Sequence, residues 1–154
     1  METGKQVSVF LENKPGRLSN VLSALARERV NIAALTVTEN VLRFVANDLP
    51  RTIQVLRSLG TRCSETEVLV VELRNQPGAL AHICELLAAE HIQIDHCYCS
   101  AGAARNGKTL GVFKVSNTDK AMRVLGSAAN NAVRRRGQAR PPRDRRSYSP
   151  PSMR

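Results

Sequence analysis

The chain carries one loop twice. Asn13-Lys14-Pro15-Gly16-Arg17-Leu18 returns 62 residues later as Asn75-Gln76-Pro77-Gly78-Ala79-Leu80. The residues around the loop repeat as well. Val7, Val9 and Leu11 before the first copy match Leu69, Val71 and Leu73 before the second. After the loop, Leu18, Val21, Leu22, Leu25 and Ala26 match Leu80, Ile83, Cys84, Leu87 and Ala88. Apolar residues alternate before each loop, the period of a half-buried strand, and recur at helical spacing after it. A duplicated unit of this length implies two small domains of one fold. Each would be marginal alone, because small domains bury a low fraction of their surface, so the two units are expected to pack together.

The first unit reads as strand Gln6–Glu12, helix Arg17–Arg29, strand Ile32–Thr38, strand Val41–Ala46, a helix ending near Leu59-Gly60, and strand Thr61–Ser64. Asp48 is its second helix's N-cap and Pro50 sits in the first turn. The second unit reads as strand Val68–Arg74, helix Ala79–Glu90, strands Gln93–Ser100 and Thr109–Val115, and a helix capped at Asn117-Thr118-Asp119 that runs to about Ala129. The order β-α-β-β-α-β is the ferredoxin-like split βαβ arrangement, an antiparallel sheet with both helices on one face. The expected class is α+β: two such units with antiparallel sheets packed side by side, the second lacking a clear fourth strand. That gap predicts an open sheet edge, which invites homodimerisation. The expected division is 1–66, 67–133 and a basic tail, 134–154.

The charge of +10 belongs mostly to that tail. Residues 134–154 hold eight arginines and one acid, so the remainder is close to balanced. With four prolines and no apolar period, the tail is expected to be disordered. No apolar run approaches the roughly 18 residues of a membrane span, and no signal-peptide core is visible at the N-terminus, so the expected location is the cytoplasm, with no membrane partner. Cys63, Cys84, Cys97 and Cys99 form no CxxC pair. They read as small core hydrophobes. A metal site of His96, Cys97 and Cys99 would need both faces of one strand, so no metal and no cofactor is expected.

The loop is the candidate site. It delivers the N-terminus of a helix, where free N–H groups and the helix dipole favour an anion. Gly16 and Gly78 allow close approach to the backbone, and Asn13 and Asn75 both donate and accept hydrogen bonds. A small molecule with a carboxylate and an amine suits that set. Lys14 and Arg17 make the first loop basic, whereas Gln76 and Ala79 leave the second neutral, so carboxylate binding is expected to favour the first.

The stretches VSVFLENKPGRLSNVLSALARERVNIAAL and VLVVELRNQPGALAHICELLAAEHIQIDH, with their Pro-Gly-x-Leu step, resemble a tandem pair of ACT domains, regulatory modules that bind amino acids. The resemblance covers Gln6 to Ala129. It implies an amino-acid ligand at the interface between units, held by Asn13, Lys14, Pro15, Gly16, Arg17 and Leu18 and by Asn75, Gln76, Pro77, Gly78, Ala79 and Leu80. Asn31 and Ile32, with Gln93, Ile94 and Asp95, would complete the pockets from strand two. It also implies a free-standing regulator, with an amino-acid metabolic enzyme as a possible partner.

Rival readings rest on less. His82, His91, His96, Asp95 and Glu85 could serve acid–base chemistry, but no nucleophile with a positioned base and no phosphate loop is visible, so no enzyme is expected. The fold order is shared with RNA-recognition modules, yet their basic-aromatic strand-three motif is missing here and Phe10, Phe44 and Phe113 read as packing residues. Nucleic acid is therefore a partner only through the arginine tail. A ligand-free oligomerising module is the remaining alternative.

Overall fold

The computed structural model describes residues 1–12, 14–100 and 108–137, with side chains up to Ala129 in the last helix. Ten elements follow in order: β1 (Glu2–Phe10), α1 (Arg17–Arg27), β2 (Ile32–Thr38), β3 (Val41–Ala46), α2 (Leu49–Ser58), β4 (Cys63–Arg74), α3 (Ala79–Ala89), β5 (Ile94–Cys99), β6 (Lys108–Val115) and α4 (Thr118–Gly137). The six strands form one antiparallel sheet in the order β2-β3-β1-β4-β6-β5. This is the expected α+β architecture of two ferredoxin-like units, fused into a single sheet.

The fusion is made by β4. Sequence periodicity suggested two strands, Thr61–Ser64 and Val68–Arg74; the structure has one continuous strand, Cys63–Arg74. Glu65-Thr66-Glu67 carries no glycine or proline to turn the chain, so the alternation runs straight through. The division between residues 66 and 67 falls inside this strand. Its first two-thirds, Cys63–Val70, pair with β1, and Leu69–Arg74 pair with β6.

The second unit's fourth-strand position is not open. β1 begins at Glu2, earlier than the alternating run, and Glu2, Thr3 and Gly4 pair with Val70, Leu69 and Val68. The N-terminus thus fills the place beside the second unit's own first strand. Beyond Ala129, the expected end of the last helix, α4 continues to Gly137 and no strand follows it among the described residues. The rest of the tail lies outside the described residues.

All four helices cover one face of the sheet. Val7, Val9, Leu42 and Phe44 pack with Val21, Leu25, Val55 and Leu56 of α1 and α2. In the second unit Leu69, Val71 and Phe113 pack with Leu87, Ala121 and Leu125 of α3 and α4. Phe44 and Phe113 are fully buried packing residues, as expected, whereas Phe10 is 66% exposed, because it lies on the face of β1 opposite Val7 and Val9. The opposite face curls until the edge strands β2 and β5 approach each other. There Ala34, Val68, Val70, Tyr98 and Val112 form a third cluster.

Two cysteines depart from the expected core role. Cys97 and Cys99 are exposed, while Cys63 and Cys84 are half-buried against the two cores. The matching residues Leu35 and Val37 are also exposed, at 42% and 41%. All four lie on edge strands, where the helices do not reach across the sheet.

The helix ends follow local chemistry. Arg51 N–H donates to Asp48 Oδ1 at 3.0 Å, and Lys120 N–H donates to Asn117 Oδ1 at 2.8 Å, so both predicted caps form. Gly60, at φ 65°, closes α2 as the Thr61 N–H reaches back to the Leu56 carbonyl at 3.1 Å.

Candidate functional site

The two loops have nearly one geometry. Gly16 and Gly78 stand at the N-caps of α1 and α3 with φ 85° and 84°, in the left-handed region that suits glycine. Lys14 N–H donates to the Glu12 carbonyl at 2.7 Å, and Gln76 N–H to the Arg74 carbonyl at 2.9 Å. Arg17 N–H reaches the Lys14 carbonyl and Ala79 N–H the Gln76 carbonyl, both at 3.3 Å. Neither cap residue offers a side chain to the first turn. The N–H groups of Leu18 and Ser19, and of Leu80 and Ala81, have no partner among the described residues. Two helix N-termini therefore present free amides, the arrangement that attracts an anion. Asn13 lies outside the described residues; Asn75 is exposed at the start of the second loop.

The charges around the loops are more alike than the loop residues alone suggest. Glu12 Oε2 binds both Lys14 Nζ at 2.9 Å and an Arg17 guanidinium nitrogen at 3.0 Å. Hydrogen bonds from Lys14 and Arg17 hold the Glu12 carboxyl below its usual pKa. The first site is thus two cations and one anion. At the position matching Glu12 the second unit has Arg74, so it too carries a single net positive charge. The two sites differ in the presence of a carboxylate, not in net charge. The ion pairs are exposed and screened by solvent, so they add little to stability.

The strand-two elements lie elsewhere. Ile32 sits opposite Ala46 and Ile94 opposite Val115, both on the middle row of the sheet. The loops are at its two ends, on the order of 25 Å from that row at roughly 3.3 Å per residue. The single chain brings Lys14–Leu18 together with the β2–β3 turn, where the Leu11 N–H donates to the Asn40 carbonyl at 2.7 Å. It does not bring either loop to Asn31 and Ile32 or to Gln93, Ile94 and Asp95. The backbones of Asn31 and Gln93 are engaged in matched pairs of hydrogen bonds. Asn31 N–H donates to Asn47 Oδ1 at 2.9 Å and Gln93 N–H to Ser116 Oγ at 3.1 Å; the Asn47 and Ser116 N–H groups return bonds to the Asn31 and Gln93 carbonyls. With both backbone groups engaged, Asn31 and Gln93 have only their side chains left for a ligand, and Gln93 Nε2 already donates to the Ile94 carbonyl at 3.3 Å. A cavity of about 560 Å³ lies beside this row, bordered by Lys5, Ala33, Asn47 and Glu67.

A groove of about 610 Å³ adjoins the first loop. Its walls include Phe10, Glu12, Arg17, Asn20, Leu59 and Arg62. Sequence reasoning found only Arg17 among these. Glu12 and Arg62 are separated by 50 positions and meet only because β1 and β4 pair; nothing in local spacing marks them.

The candidate acids, bases and metal ligands do not converge. His96 faces away from Cys97 and Cys99, and no group of three His, Cys, Asp or Glu residues fit for a metal occurs among the described residues. His96 Nε2–H donates to Gln6 Oε1 at 3.0 Å, and Gln6 Nε2 donates to Ser8 Oγ at 3.2 Å, linking β5 to β1 across the concave face. Burial, with Arg43 and Lys114 nearby, lowers the His96 pKa. Burial raises that of Tyr98, whose hydroxyl has no hydrogen-bond partner among the described residues. No described helix is long and apolar enough to cross a membrane.

The comparisons with known proteins agree with this architecture. A family model described as an ACT domain pair matches residues 2–135. Protein BT0572 from Bacteroides thetaiotaomicron is 35% identical, with 82% of this chain and 89% of that one covered at a TM-score of 0.75. The ligand-free regulatory subunit of aspartate kinase from Thermus thermophilus shares the fold at 14% identity, with a TM-score of 0.60 over 80% of this chain and 90% of its own. Aspartokinase III of E. coli, in complex with lysine and aspartate, matches 85% of this chain over 31% of its own length, at 16% identity and a TM-score of 0.58. No curated protein matches.

Proposed function

This chain belongs to the ACT domain pair family, and on that premise we propose that it is a free-standing, non-catalytic regulator that binds a small amino acid between ACT units. The observation that carries the reading is the pair of helix N-termini at left-handed glycines, each with two amides that have no partner among the described residues. An α-carboxylate suits those donors. Aspartokinase III of E. coli, about a third of which shares this fold, was solved in complex with lysine and aspartate.

The contacts ascribed to Lys14, Pro15, Gly16, Arg17 and Leu18, and to Asn75, Gln76, Pro77, Gly78, Ala79 and Leu80, require strand-two residues that the same chain holds far from the loops. A second copy would supply Asn31 and Ile32, or Gln93, Ile94 and Asp95, so the reading includes a homodimer with the ligand in the seam. Asn13 belongs to the same proposed set. Units 1–66 and 67–133 act as the two halves of each seam, with 134–154 as an appendage. The partner would be an enzyme of amino-acid metabolism. Four free cysteines suit a reducing compartment, and we place the protein in the cytoplasm.

A thermal-shift panel of the common amino acids tests the proposal. A ligand at about 100 times its dissociation constant adds roughly 2.7 kcal/mol of stability. A flat response to every amino acid at millimolar concentration would overturn it.

A further inference from the structure

The geometry points to an oxyanion site on the concave face of the sheet, where Arg43, Lys114 and His96 take a phosphate-sized anion. The site lies apart from both helix-capping loops.

The five side chains that build it share one face. Leu42 and Phe44 face the helices, so Arg43 between them faces away, and Phe113 and Val115 place Lys114 on that same side. Gln6 and Ser8 alternate with Val7 and Val9 in the same way. Register and hydrogen bonds then join the set. Arg43 stands opposite Ser8, and Lys114 stands opposite His96. Gln6 links the two pairs: its Oε1 accepts from His96 Nε2 at 3.0 Å, and its Nε2 donates to Ser8 Oγ at 3.2 Å. Opposite residues of an antiparallel ladder have Cβ atoms about 5 Å apart, so the row from Arg43 to Lys114 is continuous.

The charges in this row are unbalanced. Neither Arg43 nor Lys114 makes an ion pair among the described residues. Arg43 uses one donor on Thr38 Oγ1 at 2.7 Å and Lys114 one on the Val115 carbonyl at 3.2 Å, which leaves their other N–H groups. Both side chains are half-buried, and both charges act on the His96 ring, with Asp95 opposing them. Tyr98, whose ring stacks on His96 with centroids 6.4 Å apart, adds a buried hydroxyl that has no partner among the described residues. Cations drawn partly out of water without a counter-charge are costly, and an anion with several acceptor oxygens offsets that cost.

The other half of the same face closes without any of this polarity. By the repeat, Gln6, Ser8 and His96 match Val68, Val70 and Ala34. Counted from Phe44 and Phe113, Arg43 and Lys114 match Val112 and Val45. Each of these five counterparts belongs to the third apolar cluster or packs against it. One half of a duplicated surface is thus sealed by apolar contact. The other half carries two cations, a histidine, an amide and a hydroxyl in the same places, a set rich in donors and without a carboxylate.

Amide-resolved NMR titration of the full chain with inorganic phosphate, against sodium chloride at matched ionic strength, tests the site. Phosphate is expected to shift the amides of Ser8, Arg43, His96 and Lys114 in one saturable step and to leave Gly16 and Gly78 unmoved. Arg43→Gln and Lys114→Gln should each weaken binding about tenfold, the loss of one charge-assisted hydrogen bond. Lys5→Gln, which removes a cation from the helix-covered face, should leave it unchanged. The unaltered protein supplies a second readout. Arg43 and Lys114 lower the His96 pKa and Asp95 raises it; a bound anion favours the charged ring, so saturating phosphate should move the titration midpoint of the His96 imidazole upward. With glycerol 3-phosphate in place of phosphate, tighter binding identifies a phosphate ester as the ligand and weaker binding the free ion, and either outcome supports the site. A response no larger than that to sodium chloride, shifts confined to the Gly16 and Gly78 loops, a His96 midpoint that stays in place, or full binding by Arg43→Gln and Lys114→Gln would each overturn it.

Discussion

Lys5 and Glu67 face each other in the antiparallel ladder between β1 and β4, and they are also equivalent positions of the repeat, 62 residues apart. A pseudo-twofold axis passes between them. Six of the other seven pairings of the ladder form three couples about that axis: Glu2 opposite Val70 answers Ser8 opposite Ser64, Thr3 opposite Leu69 answers Val7 opposite Glu65, and Gly4 opposite Val68 answers Gln6 opposite Thr66. The order β2-β3-β1-β4-β6-β5 is therefore symmetric about its centre, and each unit borrows the strand that it lacks from the other's first strand.

Removal of residues 1–5 tests that borrowing. It deletes the strand beside Val68, Leu69 and Val70 and exposes an edge under α4, near whose Gly126 the Met1 side chain lies. Losing several backbone hydrogen bonds at about 1 kcal/mol each predicts a destabilisation of about 2–4 kcal/mol in urea unfolding. Unchanged stability would refute the role given to the N-terminus.

Two glycines should fail for different reasons. A Cβ on Gly4 would stand 2.9 Å from Val70 Cγ2, so Gly4→Ala is expected to cost about 1–3 kcal/mol by overpacking. That added cost should vanish in a Val70→Ala background. A Cβ on Gly16 meets nothing within 4 Å, but its φ of 85° strains an L-residue. Gly16→Ala should cost about 1–2 kcal/mol, and Gly16→Asn less, because asparagine tolerates the left-handed region. Chemical denaturation of the five variants separates the two mechanisms.

Phe44 and Phe113 occupy equivalent, fully buried places in the two cores. Each truncation to alanine should remove about 3–5 kcal/mol. Because β4 belongs to both units, either truncation should broaden or lower one common unfolding transition. Two separate transitions in calorimetry would contradict the single sheet.

His96 makes stability depend on pH. Its folded pKa is lowered, first by burial and then by Arg43, with Lys114 adding to the effect while Asp95 opposes it. The unfolded chain therefore binds a proton more readily than the folded one. Stability is full above the ordinary histidine range and declines as pH falls from about 6.5 toward the lowered folded value. Protonation also adds a charge beside Gln6, which is only 1% exposed. His96→Gln should flatten the pH dependence of the unfolding midpoint between about pH 7 and 5; an unaltered slope would assign it to other groups.

What could be read from sequence was local. β2 and β3 begin and end where their β-branched runs do, and the Asp48 and Asn117 caps form as written. Both loops follow from their proline and glycine. What could not be read was pairing. Glu2–Lys5 has no apolar alternation, because its stability comes from Val68–Val70 across the ladder, so nothing nearby marks it as a strand. Cys97 and Cys99 carry the right period for a core, but a period does not reveal that the strand is at an edge. The groove of Phe10, Glu12, Leu59 and Arg62 was invisible for the same reason: two distant segments make it only after the sheet assembles.

An unbroken β4 leaves the molecule without a hinge. Its halves share twelve residues of one extended backbone, so they cannot swing apart or reorient as linked domains do. Whatever message a bound metabolite sends must travel as a change in how whole molecules meet one another, or as a slight re-twisting of a common plank, and a fluorescent distance probe spanning the two ends of a single chain should stay almost still.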